Sequence, residues 1–348
     1  MSTTTLFGLL LLGDVSAAEI TVPSRGHATN PIWSLDGKRL AFESNELSGR
    51  IDLFTVEIEN GKPKSQPKQI SVNFSSSSFG GPSSVVATGS VWHPQGFLLF
   101  EGAYTGTSNR IYINTLSGSP SQQYVRANQL SGDLTWPTLS PSGEQLIFVS
   151  DATGDGDLYT MDLRTQKLEP TLQSPHAEMA PQVHPDGSIA YTRKQGGGED
   201  LFVFQNGSSN LRASGNGDQT RPVWAGDRLV YFSNERGTEA WDIAISSPNG
   251  QKKTLIKGVR LPFRASPALS PNGQWVSYGL DSSEGSNKIW FTKLDGSKTI
   301  SFNTGFVACG EPALIEKEGR IYLAYTALPN EGSDWRKLHV SDVTSILK

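Results

Sequence analysis

Two arginines, Arg221 and Arg264, stand where a guanidinium fork could hold a carboxylate through paired hydrogen bonds, and Trp136 offers a face for a sugar ring or an apolar side chain. Asn30, Glu178, Gln219 and Glu311 add polar groups of the kind that fix a ligand's orientation. The other reactive residue types form no obvious centre. Five histidines, at positions 27, 93, 176, 184 and 339, are scattered, and a metal site would need two or three of them converging with carboxylates. Asp151, Asp155 and Asp157 superficially suggest calcium ligation, but a twelve-residue loop closed by a bidentate Glu is absent, so a solvated turn is the expectation. Cys309 is the single cysteine, which excludes an intrachain disulfide and a cysteine-cluster zinc site; a small half-buried apolar role is expected for it. No Gly-x-Ser-x-Gly elbow, His-Glu-x-x-His pair or phosphate loop occurs. The reading is therefore of a protein without catalytic residues, metal or cofactor. A carboxylate pair for glycoside chemistry stays open, because its geometry cannot be read from a linear string.

What positions these groups is a repeat. The segment Pro31-Ile32-Trp33-Ser34-Leu35-Asp36-Gly37, followed by an apolar run to Phe42, returns six more times, with turn glycines at 37, 96, 143, 187, 226, 273 and 319 and a mean spacing of 47 residues. Each unit reads as an apolar strand, a tight turn in which glycine takes a positive φ, and a second strand ending at an aromatic. A polar hairpin loop such as 45–49 or 152–156 follows. The third strand carries a signature: Asp52-Leu53-Phe54, Arg110-Ile111-Tyr112, Asp157-Leu158-Tyr159, Asp200-Leu201-Phe202, Glu239-Ala240-Trp241 and Lys288-Ile289-Trp290. Four strands per period of about 47 residues describe a β-propeller blade, and seven repeats predict an all-β, seven-bladed propeller. The last unit has no room for a fourth strand before Lys348, while Glu19-Ile20-Thr21-Val22 precedes the first unit. The N-terminal strand is therefore expected to complete the last blade, which removes an open sheet edge. The predicted layout is a single propeller over 19–348 with blades near 31–72, 89–127, 136–173, 180–213, 221–257, 266–302 and 311–343, the last joined by 19–24.

In this order the residues around each blade-opening proline ring one mouth of the central channel. Those immediately before it include Asn30, Trp136, Arg221 and Glu311, and three residues before it stand Glu178, Gln219 and Arg264. These seven are the predicted partner-binding set. Residues 73–88, a Ser-rich stretch that lengthens the first repeat, belong on the same face as a binding flap. His93 and His184 occupy the Ser position of the turn, where an imidazole can serve as the local hydrogen-bonding group.

The segments Ser34-Leu35-Asp36-Gly37, Ser140-Pro141-Ser142-Gly143, His184-Pro185-Asp186-Gly187 and Ser270-Pro271-Asn272-Gly273 resemble the WD40-like repeats of the TolB family, over about residues 19 to 343. Similar repeats also occur in propellers fused to peptidases and in seven-bladed lyases of pectin fragments. The family pattern has six blades behind a separate α/β domain; seven repeats and no space for that domain are departures. The resemblance implies a role in the bacterial cell envelope. An apolar run, Leu6 to Leu12, followed by small residues through Ala18, reads as a secretory leader over 1–18 and agrees with a periplasmic or secreted location. The net charge of −4, without a basic stripe, argues against nucleic acid, and no stretch is long enough to span a membrane as a helix. The expectation is a non-catalytic scaffold, monomeric by itself, that binds a protein or peptide in the envelope. The alternative is an enzyme, lyase or hydrolase, or a lectin, acting on an acidic oligosaccharide.

Overall fold

The computed structural model describes residues 17–21, 26–45, 50–71, 86–103, 106–117, 121–123, 127–281 and 286–348. Residues 1–16 of the expected leader and 73–85 of the expected flap lie outside them.

Seven antiparallel sheets follow one another in chain order, each a four-stranded meander; the first also carries a two-residue strand at Lys62–Pro63. The innermost strands are Ala28–Trp33, Val86–Trp92, Leu134–Leu139, Ala177–Val183, Gln219–Ala225, Ala268–Leu269 and Ala308–Lys317. The ring closes as the repeat requires. Ala18 pairs with Val340 and Glu19 with His339, so the N-terminal strand is the outer strand of the seventh blade. Ile20 continues the contact, donating its N–H to the Leu338 carbonyl at 2.8 Å and burying its side chain with Trp33, Leu40, Tyr322 and Val340.

All seven turn glycines between first and second strands adopt a positive φ, from 61° to 88°, which any other L-residue would adopt only with strain. The Ser of the motif fastens the turn: the Ser34, Ser140 and Ser270 hydroxyls accept from the N–H groups of Arg39, Gln145 and Trp275 at 2.9–3.0 Å. His93 does the same job. Its Nδ1 accepts from the Gln95 N–H at 3.1 Å, which leaves the proton on Nε2, 2.9 Å from the Gly143 carbonyl of the next blade.

Aromatic packing works first within a blade and then between blades. Aromatic residues of the second strand stack on partners in the third, Phe42 on Phe54, Phe100 on Tyr112, Phe148 on Tyr159 and Tyr191 on Phe202, with centroids 5.5–6.0 Å apart. The motif tryptophan then clips neighbour to neighbour. Trp33, Trp92 and Trp224 each donate their indole N–H to a carbonyl on the preceding blade's innermost strand, at Ala313, Ile32 and Gln182, over 3.0–3.2 Å. Each carbonyl belongs to the residue just after that blade's proline, so the clip has the same geometry at these three blade junctions.

The third strand of the fifth blade corrects the sequence reading. It begins at Asp242, whose partner is Ser233, and Tyr231 lies opposite Ala244. The repeat there is therefore Asp242-Ile243-Ala244, and Glu239-Ala240-Trp241 falls in the loop before it. In the first, third and fifth blades the strand opens on a buried aspartate. Asp52, Asp157 and Asp242 are buried and tie down the chain as it leaves the fourth strand, accepting from the Ser71 hydroxyl at 3.1 Å, the Ser174 N–H at 2.9 Å and the Gly258 N–H at 3.0 Å.

His339 sits at the closing seam, buried against Phe306 and Tyr325, and neither ring nitrogen has a hydrogen-bond partner. Burial, with the Lys337 charge adding, pushes its imidazole down to about 4. In the unfolded chain it titrates near 6.5. The fold therefore keeps this contribution above pH 6.5 and loses it as the pH falls through the window down to 4. Wild type should lose about 2 kcal/mol between pH 7 and pH 5 from this group, read by urea unfolding, and His339→Phe should flatten that slope.

Candidate functional site

At the channel mouth six of the seven innermost strands carry a break in their ladder. The pairing register shifts between Thr29 and Ile32, Thr88 and Val91, Thr135 and Thr138, Met179 and Gln182, Thr220 and Val223, and Gly310 and Ala313. Inside each bulge the residue before the proline position is left-handed: Asn30, Gly89, Trp136, Ala180, Arg221 and Glu311 have φ between 47° and 58°. In the sixth blade the left-handed residue is Arg264, at φ 58°, two residues upstream of Ser266. For a side-chain-bearing residue this conformation costs about 1–2 kcal/mol, so the ring stores strain at the mouth.

A bulge also leaves the N–H of its left-handed residue without a ladder partner, and a side chain from a neighbouring blade supplies the acceptor. Glu43 Oε1 accepts from Gly89 N–H at 3.1 Å, Glu101 Oε2 from Trp136 N–H at 2.8 Å, and the Thr192 hydroxyl from Arg221 N–H at 3.1 Å. Each of these residues directly follows the second-strand aromatic of the preceding blade. Glu311 closes the circle by accepting from Asn30 N–H at 3.3 Å. Glu43 and Glu101 were not among the predicted residues; their signal is a charged residue in an otherwise apolar strand, one place after its aromatic.

Arg264 spans the mouth. Carried by the connection from the fifth to the sixth blade, its guanidinium reaches Glu101 in the second blade, with Nη2 3.1 Å from Oε2 and Nη1 on Oε1, and it lies 4.3 Å over the ring of Trp136 in the third. Arg221 donates to the Pro262 carbonyl of the same connection. The fork expected for a ligand's carboxylate is thus engaged by Glu101, and the Trp136 face is covered by a guanidinium. The predicted roles of Glu178 and Gln219 also need correction. Both precede the bulge in regular strand and are buried within the fold. Glu178 lies opposite Arg193, bonds its Nε at 2.9 Å and accepts from the Ser174 hydroxyl at 2.6 Å. Gln219 donates to the Gly217 carbonyl at 2.7 Å.

Beneath the crossing connection lies a channel cavity of about 340 Å³ whose wall includes Asn30, Glu43, Gly89, Trp136, Ala180 and Arg264. Burial pushes the Glu43 carboxyl up to about 8, against the pull of hydrogen bonds from Asn30 Nδ2 at 2.9 Å and Gly89 N–H. The nearby carboxyls of Glu311 and Glu101 push the same way. Burial also raises Glu311. Phe263, beside Arg264 in the crossing connection, is 55% exposed.

The remaining candidates stay apart. His27 packs edge-on against Trp335, and His184 serves its own turn with Nδ1 2.8 Å from Asp186. Asp151 accepts from Asp133 N–H, whereas Asp157 is committed to Ser174 and Thr153. Among the described residues no group of three or more His, Cys, Asp or Glu side chains is placed to hold a metal ion. Cys309 is buried, its thiol pushed up to about 11 by burial, with Sγ 3.3 Å from the Ser286 carbonyl. The mouth presents charge, hydrogen-bond donors and an apolar anchor, which suit it to binding.

Comparison with known proteins agrees with this architecture. A family model described as the TolB beta propeller domain matches residues 82–313. A TolB homologue of Chlorobium chlorochromatii is 23% identical over 260 residues, covering 72% of this chain and 58% of the relative. The chain spans about half the length, or less, of the curated relatives it matches. Among solved structures, an oligogalacturonate lyase from Vibrio parahaemolyticus superposes with a TM-score of 0.64 at 13% identity, covering 97% of this chain and 96% of that one. TolB from Acinetobacter baumannii gives 0.50 at 16% identity, covering 91% and 78%.

Arg264→Ala strands the buried Glu101 carboxylate and should cost about 3 kcal/mol in urea unfolding, most of it recovered when Glu101→Gln is added. Between pH 4.5 and 8 the unfolded chain releases the Glu43 proton and the folded chain retains it, so wild type loses stability as the pH rises through that window. Glu43→Gln should therefore be the more stable protein at pH 7, with the gap closing at pH 4.

Proposed function

The chain belongs to the TolB beta propeller family, and from that membership and the make-up of its channel mouth we propose that it is a non-catalytic propeller that binds a protein or peptide partner. The observation that carries this reading is Phe263, a large exposed aromatic next to Arg264 on a connection that is itself fastened to Arg221 and Glu101. Aromatic and arginine side chains on a rigid support are what dominate binding energy at protein interfaces. The partner docks over the crossing connection, covers Phe263 and meets the ring of Asn30, Trp136, Arg221, Arg264 and Glu311 around it. Arg264 and Arg221 act mainly by holding that surface in shape. Among the described residues no helix is long and apolar enough to cross a membrane. The cell envelope, with the protein periplasmic or secreted and monomeric by itself, is the setting we propose, supported by its TolB relatives.

Placing the photo-crosslinker p-benzoylphenylalanine at position 263 tests this directly. Irradiation in cells should yield a protein adduct from position 263 and none from Leu35, an equally exposed residue in a turn on the opposite face. Equal adducts from both positions, or turnover of galacturonate oligomers by the purified protein, would overturn it.

A further inference from the structure

A second cavity, of about 40 Å³, is sunk between the fifth, sixth, seventh and first blades at the edge of the mouth. Its walls are largely apolar, with Phe232, Tyr278, Pro262 and Pro312 among them, and Arg260, Asn30 and Glu311 bring polar atoms to it. Arg260 is fixed at its root, where its N–H donates to the Gly279 carbonyl at 2.9 Å. Its Nε stands 3.8 Å from the exposed Asp281, but its Nη1 is buried and has no hydrogen-bond partner. An unmet guanidinium N–H in such a place is unfavourable until an acceptor arrives.

Asn30 points to the same conclusion. Its amide meets Glu43 on one side, and its Oδ1 is buried without a partner. A Glu43 carboxyl that holds its proton near neutrality is itself a donor, and the Asn30 oxygen is the acceptor it needs. Turning the amide over satisfies both groups and leaves the Asn30 NH₂ as the unmet group, a second donor beside Arg260. A second cation stands close: the Arg336 charge acts on both Arg260 and Glu311, while Glu311 Oε2 is already occupied by Asn30 N–H and the Thr326 hydroxyl at 3.2 Å.

We propose that this cavity is a carboxylate subsite of the binding mouth, which takes an Asp or Glu side chain, or the free C-terminus, of a bound peptide. Arg260 Nη1 makes the charge-assisted hydrogen bond, the Asn30 amide donates the second, and the apolar wall receives the aliphatic stem. The inference rests on the partner-binding reading and adds to it the chemical class that the partner must carry.

An array of random octapeptides with free C-termini, screened against wild type and Arg260→Gln, tests it. Wild type should select peptides rich in Asp, Glu or a required terminal carboxylate. The affinity of the best peptide, read by fluorescence anisotropy, should fall at least tenfold in Arg260→Gln. It should fall similarly when the peptide's carboxylate is replaced by an amide, and the two changes together should cost no more than either alone. The unfolding midpoint of Arg260→Gln should match wild type. Selected peptides that bind Arg260→Gln equally well would overturn the subsite while leaving partner binding intact. No selected peptide, or Arg260-dependent binding of trigalacturonate instead, would overturn both.

Discussion

The left-handed residue that opens each innermost strand is the constraint from which the mouth is built. A regular ladder would carry the strand past the channel with its N–H groups paired. The bulge forces one residue per blade into a strained conformation, turns part of the backbone toward the axis and leaves an amide to be satisfied from elsewhere. Glu43, Glu101, Thr192 and Glu311 answer that demand. Since the acceptor comes from a neighbouring blade, the strain of one blade is relieved only when the next is in register.

Two layers of charge result. Below lie carboxyls committed to backbone amides and largely withdrawn from water; above lie guanidiniums, of which Arg264 neutralises Glu101 from the far side of the channel. In that arrangement the carboxyl oxygens hold the frame. One cationic group beside them keeps unused capacity, the buried Nη1 of Arg260, with the Arg336 charge close by.

The architecture was legible because it repeats. A glycine spaced by about 47 residues reported a positive φ seven times over, and the recurring proline marked the innermost strand, though not the indole clips between blades. Counting residues from the proline also found the left-handed ring, except in the sixth blade, where the conformation moved to Arg264. What could not be read was direction. Glu178 and Gln219 lie close in sequence to the mouth, yet they belong to regular strand, where alternation turns them into the fold. Arg264 reaches Glu101 across 163 residues of chain, a contact no local pattern encodes. The aromatic at Trp241 misled the third-strand reading because the repeat is anchored by Asp242, whose burial is invisible in a list of residue types.

Closure of the ring joins Ala18 to Val340, nearly the whole length of the chain apart. During synthesis, then, six blades can be complete while the seventh waits for the last strand to leave the ribosome, and until that moment the edges at both ends stand open. The final pairing is entropically the most distant contact the molecule makes, and it arrives last. A nascent chain of this design is held back from its finished form by its own topology, which lengthens the interval in which chaperones can engage it.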